Sequence, residues 1–168
     1  EEYFVNNDHV TSFVAKVFTL LNVVYSFSKY KEMIRQLKEM RPDVVHVHNY
    51  FPLLSPAIFY ACKKENVPVV HTLHNYRAVC PTALLMFDGK INERCVKGRS
   101  WWAVPKRVYR NSLIGSFALA CMVELHKFSG TWQTRVNRYI ALTFFSRSKY
   151  AEAGWPAEKI AIKPNFIQ

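Results

Sequence analysis

The sequence predicts an α/β fold: an open parallel sheet flanked by helices, in three layers. Three observations carry that expectation. Four short runs are rich in β-branched or apolar residues, as strands buried on both faces are. Between them lie stretches whose apolar residues recur at helical spacing. Prolines mark several joins, and the order helix, strand, helix, strand calls for right-handed crossovers in a parallel sheet.

Taken in order, Val10, Phe13, Val14, Val17, Phe18, Leu20, Leu21, Val24 and Tyr25 crowd one broad face of a first, largely buried helix. Ser26 or Ser28 caps a second helix, with Tyr30, Met33, Ile34, Leu37 and Met40 on its apolar face, and Arg41-Pro42 ends it. Asp43 to His48 is the first strand. Ser55-Pro56 supplies an N-cap and a first-turn proline to a helix reaching about Glu65. Val69 to Leu73 is the second strand, set off by Val67-Pro68. Residues 75 to 103 carry no clear period, and a loop of that length inside a domain is usually functional. A helix is predicted from Val104 to His126 and a third strand from Tyr139 to Thr143. A short helix from Ser146 to Ala153, a left-handed cap at Gly154 and a fourth strand, Ile160 to Lys163, complete the series.

The 168 residues are 50% hydrophobic and 15% aromatic, a composition that excludes intrinsic disorder. Lys and Arg number 23 against 12 Asp and Glu, a formal net charge of +11. The positive residues are dispersed, without zinc-finger spacing or an RNA-recognition signature, so no nucleic-acid partner is expected. An anionic membrane or a phosphate-bearing substrate fits the charge better, and a merely solvating surface fits as well. The apolar run from Asn111 to Val123 is too short and polar to span a bilayer, and the opening residues lack the pattern of a secretory signal, so none is expected. Glu1 at the start and Gln168 after an apolar run suggest a chain cut at both ends.

In open α/β sheets, ligands bind beyond the carboxyl ends of the strands. That rule singles out His48-Asn49, His74-Asn75, Thr143 and Asn165. Two strands end alike in His-Asn, and both residue types can hydrogen-bond sugar hydroxyls or phosphate. His46 and His71 lie earlier in their strands and read as structural, although alternation places His46 on the same face as His48. No carboxylate accompanies the histidines at ligand spacing, so no catalytic metal is expected. Cys62 and Cys121 read as buried small hydrophobes. Cys80 and Cys95 flank the long loop without a Cys-x-x-Cys pairing, and their spacing supports a metal or a disulfide only weakly. Trp101 and Trp102 stand beside Lys106, Arg107 and Arg110. This aromatic-basic run suits a membrane or acceptor contact, or else two core tryptophans before the basic turns of a helix.

The motifs Pro-Asp-Val-Val-His-Val-His-Asn-x-Phe-Pro-x-x-Ser-Pro (42–56), Pro-Val-Val-x-Thr-x-His-Asn-Tyr-Arg-x-x-Cys-Pro (68–81) and Lys-Pro-Asn-Phe (163–166) have a known look. They resemble the acceptor-side domain of family-4 retaining glycosyltransferases, over roughly residues 10 to 168. The resemblance implies the N-terminal, Rossmann-like half of a two-domain enzyme, with the first strand and the C-terminal donor domain missing. It implies transfer from a nucleotide-sugar donor to a sugar or lipid-linked acceptor hydroxyl with retention, in surface polysaccharide or glycolipid synthesis. It also implies no cofactor beyond the nucleotide sugar, and a cytoplasmic location, peripheral on the inner face of the membrane.

Residue by residue, the resemblance makes His74 the catalytic crevice histidine, near the transferred sugar and the donor diphosphate. His48 and Asn49 then line the acceptor side, and Asn75, Arg77, Thr143 and Asn165 complete the substrate contacts. Phe144 stands where the family has an acidic residue, and Asn92 and Val108 where relatives carry cysteines that with Cys80 and Cys95 form a zinc site. Without a donor domain, the 168-residue chain alone is expected to be inactive. Two rival readings are a non-catalytic α/β module that docks a protein or an anionic membrane, and an epimerase or phosphorylase on the same two-domain plan.

Overall fold

The computed structural model describes residues 22–52 and 54–165. Most of the first predicted helix therefore lies outside the described residues. Residues 22–24 are helical, and helix α1, Phe27–Met40, follows. Of the two candidate caps, Ser26 is the one used: its hydroxyl accepts from Lys29 N at 3.4 Å. The helix ends at Arg41, left-handed at φ 46°, just before the proline.

Strand β1, Val45–Val47, is shorter than predicted. Helix α2, Ala57–Lys64, begins one residue later than the proline rule suggests. Ser55 has φ 54°, and its hydroxyl accepts from both Ala57 N (3.3 Å) and Ser26 N (2.9 Å). A single buried serine thus ties the heads of α1 and α2 together, which satisfies two N–H groups that burial would otherwise orphan.

Strand β2, Val69–Leu73, matches its prediction. The long segment after it is more ordered than its sequence suggests. It holds a hairpin of β3, Met86–Phe87, and β4, Lys90–Ile91, turned by Asp88 (φ 52°) and Gly89 (φ 68°). Positive φ at both central residues is the type I′ geometry that Asp-Gly favours. Helix α3, Arg94–Lys97, and a 3₁₀ turn, Trp101–Ala103, follow. Lys149 pairs with Glu93 at 2.8 Å, and the buried Glu124 accepts from Ser100 N at 2.7 Å and Arg99 at 3.3 Å. These contacts hold the loop down.

The helix predicted from Val104 starts only at Leu113. Arg107, Arg110 and Asn111 take positive φ (47°, 50° and 52°), so residues 104–111 form successive turns. Ser112 then caps helix α4, Leu113–Phe128, by accepting from Gly115 N at 3.1 Å. Helix α5, Thr131–Thr134, leads to strand β5, Arg138–Ala141. The predicted third strand runs two residues too far, because Thr143 leaves the ladder to cap helix α6, Phe144–Glu152. Gly154 is left-handed at φ 85°, as expected, and strand β6, Ile160–Ile162, closes the sheet.

The four strands β1, β2, β5 and β6 pair in the order β1-β2-β5-β6, all parallel. Helices flank this sheet, and the core between is strongly aromatic. Trp132 stacks on Trp155 at 5.1 Å, and Tyr139 and Tyr150 lie 4.7 and 4.6 Å from Trp155. The buried His126 fixes the entry of the chain. Its Nε2–H donates to Val24 O at 2.9 Å, and Nδ1 accepts from the Thr131 hydroxyl at 2.9 Å. Among the described residues, no helix is long and apolar enough to cross a membrane.

Candidate active site

All four parallel strands end at the same edge, and the residues that follow them enclose a cleft of about 310 Å³. Its lining includes His46, His48, Thr72, His74, Lys163 and Asn165, with Ile140 and Leu142 as the apolar wall. That volume suits a small ligand such as a sugar.

The histidines are arranged by strand geometry. Period-2 alternation puts His46 and His48 on one face of β1, where their rings lie 4.3 Å apart. The parallel register of β1 and β2 sets Val47 beside His71, so the two strand ends are level. His48 Nδ1 and His74 Nε2 meet there at 2.9 Å, with ring centroids 5.2 Å apart. One of these nitrogens must donate and the other accept, so the contact tolerates one extra proton on the pair but not two. His46 Nε2 shares a hydrogen bond of 2.8 Å with the Thr72 hydroxyl.

Burial pushes the pKa of His74 below its usual value, and the neighbouring His48 adds to the shift. His46 is lowered in the same sense, first by burial and then by His48, Lys163 and His74. Both rings are therefore neutral at pH 7 and can each donate and accept at once. Below them His71 is fully buried, and burial takes its pKa from 6.5 down to about 3.

A smaller cavity of about 20 Å³ adjoins the histidine pair, lined among others by Asn49, Tyr50, His71, Asn75 and Arg77. Among the described residues, Tyr50 OH and His71 Nδ1 are buried without a hydrogen-bond partner, and the cavity has room for one water. The Asn75 side chain accepts from Arg77 N at 2.9 Å, which makes an Asx turn just past β2. Tyr150 OH donates to Asn75 O. The Arg77 guanidinium stacks 4.9 Å from Phe51 and 5.6 Å from Tyr109, and it donates to Pro81 O. Arg77 is thus the bracket that fixes the start of the long loop beside the cleft.

The structure distributes the remaining candidates unevenly. His48, His74 and Asn165 face the larger cleft, while Asn49, Asn75 and Arg77 line the smaller cavity. Thr143 lines neither, and its hydroxyl accepts from Ser146 N at 3.0 Å. Phe144, next to it, is 79% exposed. The two tryptophans part company: Trp101 is 43% exposed beside Phe117, whereas Trp102 is half-buried against Phe87. Trp102 donates its indole N–H to Cys95 Sγ at 3.2 Å. Lys106, Arg107 and Arg110 are exposed on the turns before α4. Among the described residues, no group of three His, Cys, Asp or Glu side chains could hold a metal ion.

The sequence reading treats His46 as structural and does not single out Thr72 or Lys163 as site residues. The alternation along β1 and the carboxyl-end rule for β6 were the signals that could have found His46 and Lys163.

A family model, Glycosyltransferase Family 4, matches residues 1–168. An uncharacterised 42.6 kDa protein in the cps region of Klebsiella pneumoniae is 24% identical over 84% of this chain and 32% of its own length. Alpha-monoglucosyldiacylglycerol synthase of Acholeplasma laidlawii is 32% identical over 47% of this chain and 23% of its own length. No solved structure matches the chain. The chain covers no more than about a third of the length of these curated relatives. It belongs to glycosyltransferase family 4.

Proposed function

We propose that this member of glycosyltransferase family 4 forms the acceptor-side wall of an enzyme that moves a glycosyl group from a nucleotide sugar to an acceptor hydroxyl with retention. The observation that carries the reading is the hydrogen-bonded His48–His74 pair at the head of the sheet-edge cleft. Glycosyl transfer develops positive charge on the sugar and negative charge on the departing diphosphate, so groups aimed at those charges accelerate it. A neutral His74 hydrogen-bonds the transferred sugar or its leaving group, and His48 holds its ring in one orientation. Lys163, at the opposite wall, offers positive charge to the diphosphate, and Asn165 offers hydroxyl contacts. This scheme invokes no resident cofactor or metal: Lys163 and His74 meet the charge of the departing diphosphate.

In the full-length enzyme, His74→Ala lowers kcat by about 100-fold or more while the circular dichroism spectrum stays native. An unchanged kcat removes His74 from the reaction.

The acceptor is a membrane-borne or polysaccharide sugar in this reading. The name of the Acholeplasma laidlawii relative, a glycolipid synthase, supports the lipid side. So does the outer face of α4, where Ile114, Phe117, Leu125 and Phe128 are exposed and carry no charge. Trp101 sits 6.1 Å from Phe117, and Lys106, Arg107 and Arg110 are exposed on the turns that join the two in sequence. Apolar side chains with a basic rim suit an anionic bilayer surface. The expected outcome is that the chain floats with phosphatidylglycerol vesicles and not with phosphatidylcholine vesicles, and that the double change Trp101→Ala, Phe117→Asp abolishes flotation. Equal flotation of that variant refutes the docking face without touching the catalytic reading.

A further inference from the structure

We propose that Cys80 and Cys95 are an oxidation site, at which a peroxide converts two buried thiols into an intramolecular disulfide. The inference stands apart from the glycosyl-transfer reading and does not depend on it.

The two sulfurs come from separate turns of the long loop, 15 residues apart, and touch at 3.0 Å. Both residues are fully buried. Each sulfur has a second polar neighbour: the Thr82 hydroxyl lies 3.3 Å from Cys80, and the Trp102 indole N–H points at Cys95 from 3.2 Å. The backbone behind them is fixed. Pro81 O accepts from Arg77, Lys127 Nζ donates to Cys95 O at 3.4 Å, and Glu93 is paired with Lys149.

That spacing discriminates between two chemistries. Sulfurs sharing a tetrahedral zinc at bonds of about 2.3 Å stand roughly 3.8 Å apart. These stand closer than that, and no third ligating side chain joins them among the described residues. A disulfide bond is about 2.05 Å, so the pair has only about an ångström left to close. The two thiols are also unequal. The contact with Cys95 brings the Cys80 pKa down to about 7, while the same contact and burial push Cys95 up. Cys80 is thus the more readily ionised of the two, and the thiolate is the form that attacks an oxidant.

The step balances as follows. The Cys80 thiolate attacks one oxygen of hydrogen peroxide, an S–O bond forms, the O–O bond breaks, and hydroxide leaves to take up a proton as water. Cys95 then attacks the Cys80 sulfur as its own proton passes to the departing hydroxyl. The S–S bond forms, the S–O bond breaks, and a second water leaves. Two thiols lose two electrons, and the peroxide gains them. Peroxide is the size of water and so is suited to a site that opens only by local fluctuation. Because Cys80 precedes Pro81, whose carbonyl holds Arg77, the oxidised state is one residue away from the wall of the cavity beside His74.

The test uses the whole chain, reduced and then exposed to hydrogen peroxide, quenched by alkylation in denaturant and weighed intact. The expected product has lost two hydrogens and yields one cross-linked peptide joining Cys80 to Cys95, with Cys62 and Cys121 alkylated as before. Dithiothreitol reverses it, and the melting temperature of the oxidised chain is higher by about 5 °C. Cys95→Ser leaves a sulfenic acid on Cys80 that dimedone traps. Addition of oxygen to Cys80 in the wild-type chain without a cross-link overturns the proposal. So does a cross-link through Cys62 or Cys121, or a stoichiometric zinc whose removal by chelation frees the two thiols.

Discussion

His71 gives the chain a pH-dependent stability that can be worked out in advance. The ring is 4% exposed and lies 5.3 Å from Phe59, 5.7 Å from Tyr50 and 6.0 Å from Tyr139. Its Nδ1 has no hydrogen-bond partner among the described residues to compensate a charge, and burial lowers the pKa from 6.5 to about 3. Between those two values the unfolded chain binds a proton that the native chain refuses. Stability is therefore complete above the unfolded pKa and falls as the solution is acidified, down to the folded pKa. From pH 7 to pH 5 the loss from this one ring is about 2 kcal/mol.

The assay is urea unfolding followed by tryptophan fluorescence at both pH values, on the wild type and on His71→Phe. The other histidines with lowered pKa, His46, His74 and His126, are common to both proteins and cancel in the comparison. The variant should lose about 2 kcal/mol less than the wild type over this interval. Identical pH dependence in the two proteins refutes the reasoning, as does an NMR titration that shows His71 protonating near 6.5.

Other expectations follow from the same geometry. His48→Asn removes the neighbour that helps to hold His74 down, so the His74 pKa rises, though only part of the way because burial is the larger cause. Nitrogen-15 shifts of the His74 ring report this directly, and a fall in the pKa contradicts it. Thr143→Ala deletes the cap on Ser146 N and costs about 1 kcal/mol by urea unfolding, while KM in the full-length enzyme stays unchanged. A rise in KM instead returns Thr143 to the substrate contacts.

Much of the fold is legible from local pattern. Buried parallel strands announce themselves as short runs such as Val69 to Leu73, and the carboxyl-end rule then locates the cleft before any coordinate is known. His48 and His74 are found this way because each sits at the end of its own strand. Other features depend on distant residues. The helix expected from Val104 fails because Arg107, Arg110 and Asn111 adopt left-handed backbone that their side chains alone do not demand. Lys163 is not recognised as a site residue because a lysine at the end of a predicted strand says nothing until β6 is laid beside β5. Trp101 and Trp102 are identical neighbours in sequence, and only the fold of the loop turns one outward and the other onto Cys95. The Asp88-Gly89 hairpin was the opposite case, a strong local signal inside a segment without periodicity.

The strand order also dictates when the cleft can exist during folding. His48 and His74 are 26 residues apart, a modest separation to close once β1 and β2 pair. The opposite wall arrives only when β5 docks on β2, a junction sealed by Val69 N donating to Asn137 Oδ1 across 68 residues. Non-local pairing of this kind slows folding. The histidine pair and the Lys163 wall thus each sit on a locally paired half of the sheet, β1–β2 and β5–β6, and only the junction between the halves is long-range. A mutation at the β2–β5 seam would delay assembly of the cleft without altering a single residue that lines it.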